Sequence, residues 1–547
     1  MNEINHKRRI FLSVTCAMLL ALAVFATSRR FFDESAQATA ARAQASAAKE
    51  AAPAAKTKPA IVASGSSSDL ELAQKIDRAI DESEFTSARW GVYVISLRDG
   101  RVLYARNAGM LFTPASNMKI YTTAVALEML GADYRWRTSV YASAQPDANG
   151  TVKGDLVLYG RGAPDLSSKN SQGESSSLFQ LADALYKQGV RRVRGGVVGD
   201  ETYFRGDALG DGWLWNDLQW YYGAEASALS VNGNETMLMI APSNKAGEPA
   251  NLKLSAGENY FHLTNETNTA ERNAPPTIGL TRALSGNELR VWGDFPLGSR
   301  GYSARLAVHN PAQWAAALFR DALRAHGIVV DGDARVQNSG VSEDERFDTQ
   351  KAVELASVES KTLGEIVHAT NKESINLNAE LILRTLGKER GSLAPDPSPR
   401  RMLTRGEMEA GAAVVRLWLA RAGIPTDKLA FHDGSGLSRL DLVTPETSVR
   451  LLATISKSPS AEIFRDSLPI AGRDGTLEAR LRVVTGRIHA KTGALSYDNS
   501  LSGYALTADE EPLAFSIMCN DETTKASSIR LIDEIATLLA TFKSGQK

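Results

Sequence analysis

Only two cysteines, Cys16 and Cys519, occur in 547 residues. Cys16 sits in an apolar stretch near the amino terminus, so a processed chain keeps Cys519 alone, and one thiol closes no internal disulfide. The fold must then be held by its core, which a chain of this length with 43% hydrophobic residues can supply. Histidine is equally sparse. The seven residues His6, His262, His309, His326, His368, His432 and His489 include no pair at metal-ligand spacing, which argues against a zinc site. An excess of one charge is missing too: 62 Lys and Arg stand against 63 Asp and Glu, without the basic footprint of a nucleic-acid binder. GRGAPD at 160–165 lacks the third glycine of a dinucleotide loop, and Gly434-Ser435-Gly436 lacks the outer spacing of a nucleophile elbow and reads as a turn. No metal or organic cofactor is implied.

Residues 1–33 have the layout of an export signal. Lys7, Arg8 and Arg9 precede the uncharged 17-residue run Ile10 to Ala26, and Val24 and Ala26 are small residues before a cut. The mature protein is therefore expected outside the cytoplasm, in the periplasm. The run is at the lower limit for a spanning helix and Arg29 and Arg30 follow it, so membrane attachment by an uncleaved segment is the alternative. Residues 34–68 are Ala, Ser, Lys and Pro with almost nothing large and apolar, the composition of a disordered linker.

Order is expected from Asp69, where Leu70, Leu72, Ile76 and Ile80 recur at helical spacing. GVYVISL and RVLYARN around Asp99-Gly100 predict a hairpin. Ser116 to Leu130 has no Gly or Pro and is apolar on most sides, which predicts a buried helix. Near the other end RIHAKTG, SLSGYAL and LAFSIMC read as successive strands, followed by a helix carrying Ile529, Ile532, Ile535 and Leu539. One sheet flanked by helices would thus use both chain ends. Between them, about 140–355 is dense in short strands (GDLVLYG, GGVVGD, NELRVWGDF), with helices near 178–188 and 311–326, and reads as an inserted body.

Three short motifs carry chemistry. Ser116-Asn117-Met118-Lys119 sets a hydroxyl and an amine three residues apart, on one face of a helix. A buried lysine beside a second cation loses its proton near neutrality and can then take the serine proton. The same spacing at Ser46 to Lys49 lies in the linker, and the structural alternative for Ser116 is a helix cap. Ser374-Ile375-Asn376 falls between two helical stretches, where a hydroxyl can relay a proton and a carboxamide can bind a peptide amide; an Asx or Ser turn is the alternative. Lys491-Thr492-Gly493 follows the strand GRIHA, where a cation and a hydroxyl suit a terminal carboxylate and glycine lets a substrate backbone approach.

In this order the three motifs match the S-x-x-K, S-x-N and K-T-G signature of penicillin-binding proteins and class A β-lactamases. With NKESINLNAELILRTLG, HDGSGLSR at 432–439, LPIAGRDGTL at 468–477 and AKTGALSYDNSLSGY, the chain from 69 to 543 closely resembles the class C low-molecular-mass penicillin-binding proteins of the penicillin-binding protein 4 type. The resemblance implies an α+β multidomain fold: a β-lactamase/transpeptidase-like domain, an antiparallel sheet flanked by helices, with two smaller β-rich domains inserted between the first and second motifs. The catalytic domain would take 69–139 and 356–547, inserted domain II 140–235 and 304–355, and inserted domain III 236–303.

The same resemblance implies a serine-type D-alanyl-D-alanine carboxypeptidase or endopeptidase acting on peptidoglycan stem peptides, with β-lactam antibiotics as covalent inhibitors. Ser116 would be the nucleophile, Lys119 the base, Ser374 a proton relay, Asn376 a substrate-amide ligand, and Lys491, Thr492 and Gly493 the carboxylate site. The backbone amides of Ser116 and Ala494 would form the oxyanion hole. Position 494 is Ala where the family commonly has Thr, but only its amide is needed. Asp200, in GGVVGDETYF, would face the cationic side chain of the stem peptide, with a turn-capping role as the alternative. The rival functions are a β-lactamase and a catalytically silent peptidoglycan-binding scaffold.

Overall fold

The computed structural model describes residues 66–168, 176–257, 259–338, 340, 342, 346–394, 406–524 and 527–544. The expected export segment, its cut after Ala26, and the linker up to residue 65 lie outside the described residues.

One antiparallel pairing, Arg89–Ser96 with Pro512–Asn520, brings strands from both parts of the chain together. The hairpin Arg89–Ser96 and Val102–Arg106 joins the carboxy-terminal strands in a five-stranded sheet, ordered Ile488–Leu495, Asp498–Leu506, Pro512–Asn520, Arg89–Ser96, Val102–Arg106. The expected two-residue turn spans residues 97–101 instead, with Gly100 at φ +80° and a bulge after Val94.

Alternation along these strands buries both faces, because helices cover each side. Ser67–Asp81, capped by Ser66, and Ile529–Thr541 pack on one face over Trp90, Val92, Val94, Phe515 and Ile517. The other face meets Met118–Leu130 and the helices Leu363–Glu373, Asn376–Arg390, Glu407–Arg421 and Pro445–Ile455. The Met118–Leu130 helix is buried from Met118 to Leu127 and has little amphipathic character, which is why its sequence shows no polar stripe. Each fully buried Leu or Ile here contributes about 1.5–3 kcal/mol relative to exposure.

The insertion is closed at its root by its own strands. Arg137–Ala142, leaving the catalytic part, pairs with Val353–Glu359, which returns to it. They belong to a five-stranded sheet ordered Ala334–Gln337, Val197–Asp200, Leu156–Tyr159, Arg137–Ala142, Val353–Glu359. The expected helices are Ser177–Lys187 and Pro311–Ala325. Two further three-stranded sheets lie within residues 235–307, and apolar side chains from both parts of the insertion join in one core.

Candidate active site

Pro114 halts the approaching chain, and Ala115 takes a left-handed φ of +49°, a conformation a β-carbon makes costly. The short 3-10 turn Ala115–Asn117 then leads into the helix at Met118, so the helix begins two residues later than the sequence predicts. Ser116 makes no capping bond; its hydroxyl is left for the cleft, and it is half-buried.

Lys119 is fully buried one turn on. Its Nζ donates to Ser116 Oγ at 3.0 Å, to Asn376 Oδ1 at 2.7 Å and to the Ser435 carbonyl at 2.8 Å. Burial pushes Lys119 down to about 7, against the opposing pull of Asp433 and Glu380. Near neutrality a large fraction of this amine is unprotonated and can take the hydroxyl proton.

The second motif is placed by a helix end. Ser374 caps Leu363–Glu373 in a left-handed conformation, φ +58°, and Asn376 opens the following helix, so both polar side chains project from the break. Ser374 Oγ accepts from Lys491 Nζ at 2.9 Å, and Asn376 Nδ2 donates to the Tyr222 carbonyl at 2.9 Å.

The third motif lies on the edge strand Ile488–Leu495, as expected. Lys491 is fully buried; burial and then the charge of Lys119 hold its amine well below the ordinary lysine range. Thr492 Oγ1 lies 2.7 Å from Thr476 Oγ1. A Cβ on Gly493 would stand 2.3 Å from Ser500 Oγ, 2.7 Å from the Pro114 carbonyl and 3.1 Å from the Asn117 nitrogen. Glycine therefore lets the edge strand pack directly against the Ser116 turn. Ala494, next along, is exposed.

Ser116, Ser374, Asn376 and Ala494 line one cleft of about 1700 Å3, and Thr476 and Gly436 border it. The structure does not bring Asp200 there. It is buried at the end of Val197–Asp200, its Oδ1 accepts from the Thr202 amide at 2.8 Å and hydroxyl at 2.7 Å, and burial raises its proton affinity. This is the turn-capping geometry. The insertion reaches the cleft through several other segments, Asp165, Glu235 and Arg305 among them, and one of these, residues 205–223, has no strand and only a short 3-10 turn at Tyr221–Gly223.

That segment is tied to the catalytic part at several points. Trp213 Nε1 donates to Asp433 Oδ2 at 2.9 Å, His432 Nδ1 lies 2.9 Å from Asp211 Oδ2, and Ser438 Oγ donates to the Asp211 carbonyl at 2.6 Å. Asp217, on the same segment, lines the cleft, and Tyr222 Oη donates to its Oδ1 at 3.3 Å. The turn at Gly434-Ser435-Gly436, read from sequence only as a turn, is part of the site because the Ser435 carbonyl receives Lys119. Its sequence carried no sign of this, since a backbone acceptor has no residue signature. Among the described residues no group of His, Cys, Asp and Glu is arranged to hold a metal ion.

A serine beside a buried lysine, a second lysine on a facing sheet edge, and an antiparallel sheet between helices define a penicillin-binding serine hydrolase. A family model described as the D-Ala-D-Ala carboxypeptidase 3 (S13) family matches residues 72–542. A D-alanyl-D-alanine carboxypeptidase of Actinomadura sp. (strain R39) is 35% identical over 501 residues, 89% of this chain and 88% of its own length. The crystal structure of penicillin binding protein 4 (dacB) from Haemophilus influenzae superposes with a TM-score of 0.71 at 24% identity, covering 85% of this chain and 97% of that one. The same protein complexed with a β-lactam gives 0.66 at 22% identity, with the same coverage, and both show the shared fold. The chain belongs to the D-Ala-D-Ala carboxypeptidase 3 (S13) family, the penicillin-binding protein 4 type that its motifs resemble, and is a serine carboxypeptidase.

Proposed function

We propose that this enzyme cleaves the D-Ala-D-Ala end of peptidoglycan stem peptides, and the equivalent bond in cross-links, through an acyl-enzyme on Ser116. The observation that carries the reading is the contact of Lys119 Nζ with both Ser116 Oγ, at 3.0 Å, and Asn376 Oδ1, at 2.7 Å. Lys119 takes the hydroxyl proton as Ser116 Oγ attacks the carbonyl, and the amides of Ser116 and Ala494 receive the oxyanion. Each such donor is worth about 3–4 kcal/mol of barrier. Ser374, bonded to Lys491, passes a proton to the leaving D-Ala nitrogen, and water then releases the acyl group. Lys491 and Thr492 take the terminal carboxylate and Asn376 takes the peptide amide, while Gly493, expected to admit the substrate backbone, instead lets the edge strand close on the Ser116 turn.

Asp217 is assigned here the role expected of Asp200. It faces the cleft on the segment whose Tyr222 carbonyl holds Asn376, so it is placed to meet a cationic stem-peptide side chain. The insertion is read as two accessory domains, 140–235 with 304–355 and 236–303; the sheet formed within 262–296 belongs wholly to the second, while Tyr302–Ala307 pairs with Glu235–Ala241 across the boundary. Lys7 to Arg9 and the run Ile10 to Ala26 support export to the periplasm. A β-lactamase is disfavoured by the family match, which includes the insertion.

The test is hydrolysis of a pentapeptide ending in D-Ala-D-Ala and of a cross-linked muropeptide dimer. Release of D-Ala and of monomer, both absent in Ser116→Ala, supports the reading; turnover that survives Ser116→Ala refutes it.

A further inference from the structure

Two buried carboxylates stand behind the general base without bonding to it. Glu380, on the Asn376–Arg390 helix, is fully buried, and its Oε1 accepts from the backbone amides of Gly434 and Ser435, each at 2.9 Å. Its Oε2 accepts from Arg384 Nη1 at 2.8 Å. Asp433 grips the same turn from within: Oδ1 accepts from Ser435 N at 3.1 Å and Gly436 N at 2.6 Å, and Oδ2 from Ser438 N at 2.7 Å. The turn held in this way presents the Ser435 carbonyl to Lys119 Nζ at 2.8 Å. It also packs on the nucleophile's neighbour, for a Cβ on Gly436, at φ +79°, would stand 1.8 Å from the Ala115 carbonyl.

We propose that Glu380 is a positioning residue for acyl transfer, seconded by Asp433: it locks the Gly434-Ser435 peptide so that the Ser435 carbonyl aims Lys119 Nζ at Ser116 Oγ, and it sets a negative charge behind that amine. The inference rests on the reading of Ser116 as nucleophile and Lys119 as base.

Both oxygens of Glu380 meet only donors, so the site holds its carboxylate form. Burial and Asp433 raise its proton affinity and Arg384 lowers it. A buried charge persists only when it is paired in this way. The groups that face the Lys119 amine come from three elements. Asp433 on the turn and Glu380 on the helix favour its ammonium form, and Lys491 on the sheet edge is an amine that burial and then the charge of Lys119 hold well below the ordinary lysine range. Behind them Arg384 pairs with Glu380, while burial and Asp433 hold Asp441 well above the ordinary carboxylate range. Burial alone would drive Lys119 lower still; the two carboxylates return it to about 7, where a base is useful.

The experiment follows the rate of acylation by a labelled penicillin against pH for the full chain, Glu380→Gln, Glu380→Asp and Asp433→Asn, after the adduct in the parent has been mapped. In the parent the rate climbs with pH as Lys119 loses its proton. Glu380→Gln removes the charge, so the amine deprotonates more readily and the acid limb moves down by about one pH unit. Its plateau falls about tenfold or more, because a misaimed base is a poor one. Glu380→Asp keeps the charge but shortens the reach, so the limb stays and the plateau falls. Asp433→Asn shifts the limb in the same direction as Glu380→Gln and carries the charge test if that variant does not fold. A purely structural role would reduce folded protein and leave the limb in place. An unmoved limb in the neutral variants, or parent rates for Glu380→Asp at every pH, overturns the proposal. A parent without an adduct on Ser116 overturns the functional reading beneath it instead.

Discussion

Burial and then the charge on Lys119 lower the proton affinity of Lys491, and both amines are fully buried. Two ammonium groups held so close repel each other even with Glu380 and Asp433 behind Lys119, which ties the base and the carboxylate site into one electrostatic unit. A substrate carboxylate arriving at Lys491 adds an anion on that side.

The acid limb of acylation is expected at about pH 7. Below it Lys119 is charged and cannot accept the Ser116 proton; above it the neutral amine predominates, so the rate rises with pH. Lys119→Ala keeps the hydroxyl and loses its base, costing on the order of a hundredfold or more in acylation rate. Stopped-flow acylation across pH 5–9 checks both the limb and the loss, taking roughly two units on either side of the limb.

Lys491→Ala is expected to weaken capture of the carboxylate by about 1.5–3 kcal/mol, the worth of a hydrogen bond to a charged group. The parent should show a comparable loss with a β-lactam methyl ester, whereas the variant should treat acid and ester alike. Saturation kinetics with the two inhibitors read this directly.

Gly493→Ala should separate the edge strand from the Ser116 turn, since the added carbon meets Ser500 Oγ and the Pro114 carbonyl at 2.3 and 2.7 Å. Acylation is expected to fall about a hundredfold, the order of cost of a misplacement near 1 Å. Labelling kinetics alongside a thermal melt separate this from unfolding.

Asp200 and Asp217 should behave as opposites. Asp200→Ala removes the acceptor of the Thr202 amide and hydroxyl, so stability falls by about 1–3 kcal/mol with stem-peptide preference unchanged. Asp217→Asn should leave stability and β-lactam acylation nearly intact and raise KM for peptides with a cationic third residue. Denaturant melts and peptide kinetics on the two variants decide between the carboxylates.

The parts legible in the sequence were those with a local signature. Period-two strands at both chain ends, an apolar run after Ser116, and lysine before threonine and glycine each depend on near neighbours, and the structure keeps them. Two kinds of feature were not legible. Asp200 ends a strand buried on both faces, and no pattern in GGVVGD tells a capping carboxylate from one that faces a cleft. Glu380 and the Ser435 carbonyl act between residues far apart in the chain, and Asp433 through the amides of its own turn, backbone contacts that no side-chain motif records. The 205–223 segment likewise lacks periodicity, because its place is fixed by Trp213, Asp211 and Tyr222 bonding to the catalytic part.

The central claim is that Ser116 is the acylated residue. A β-lactam presents a strained amide and a carboxylate as D-Ala-D-Ala does, and its leaving group stays tethered after ring opening, so water is blocked and the adduct is long-lived. Mass mapping of the protein after labelled penicillin should find one adduct, on the peptide containing Ser116, and none in Ser116→Ala. An adduct on Ser46, on Ser435, or on no serine at all would contradict the account.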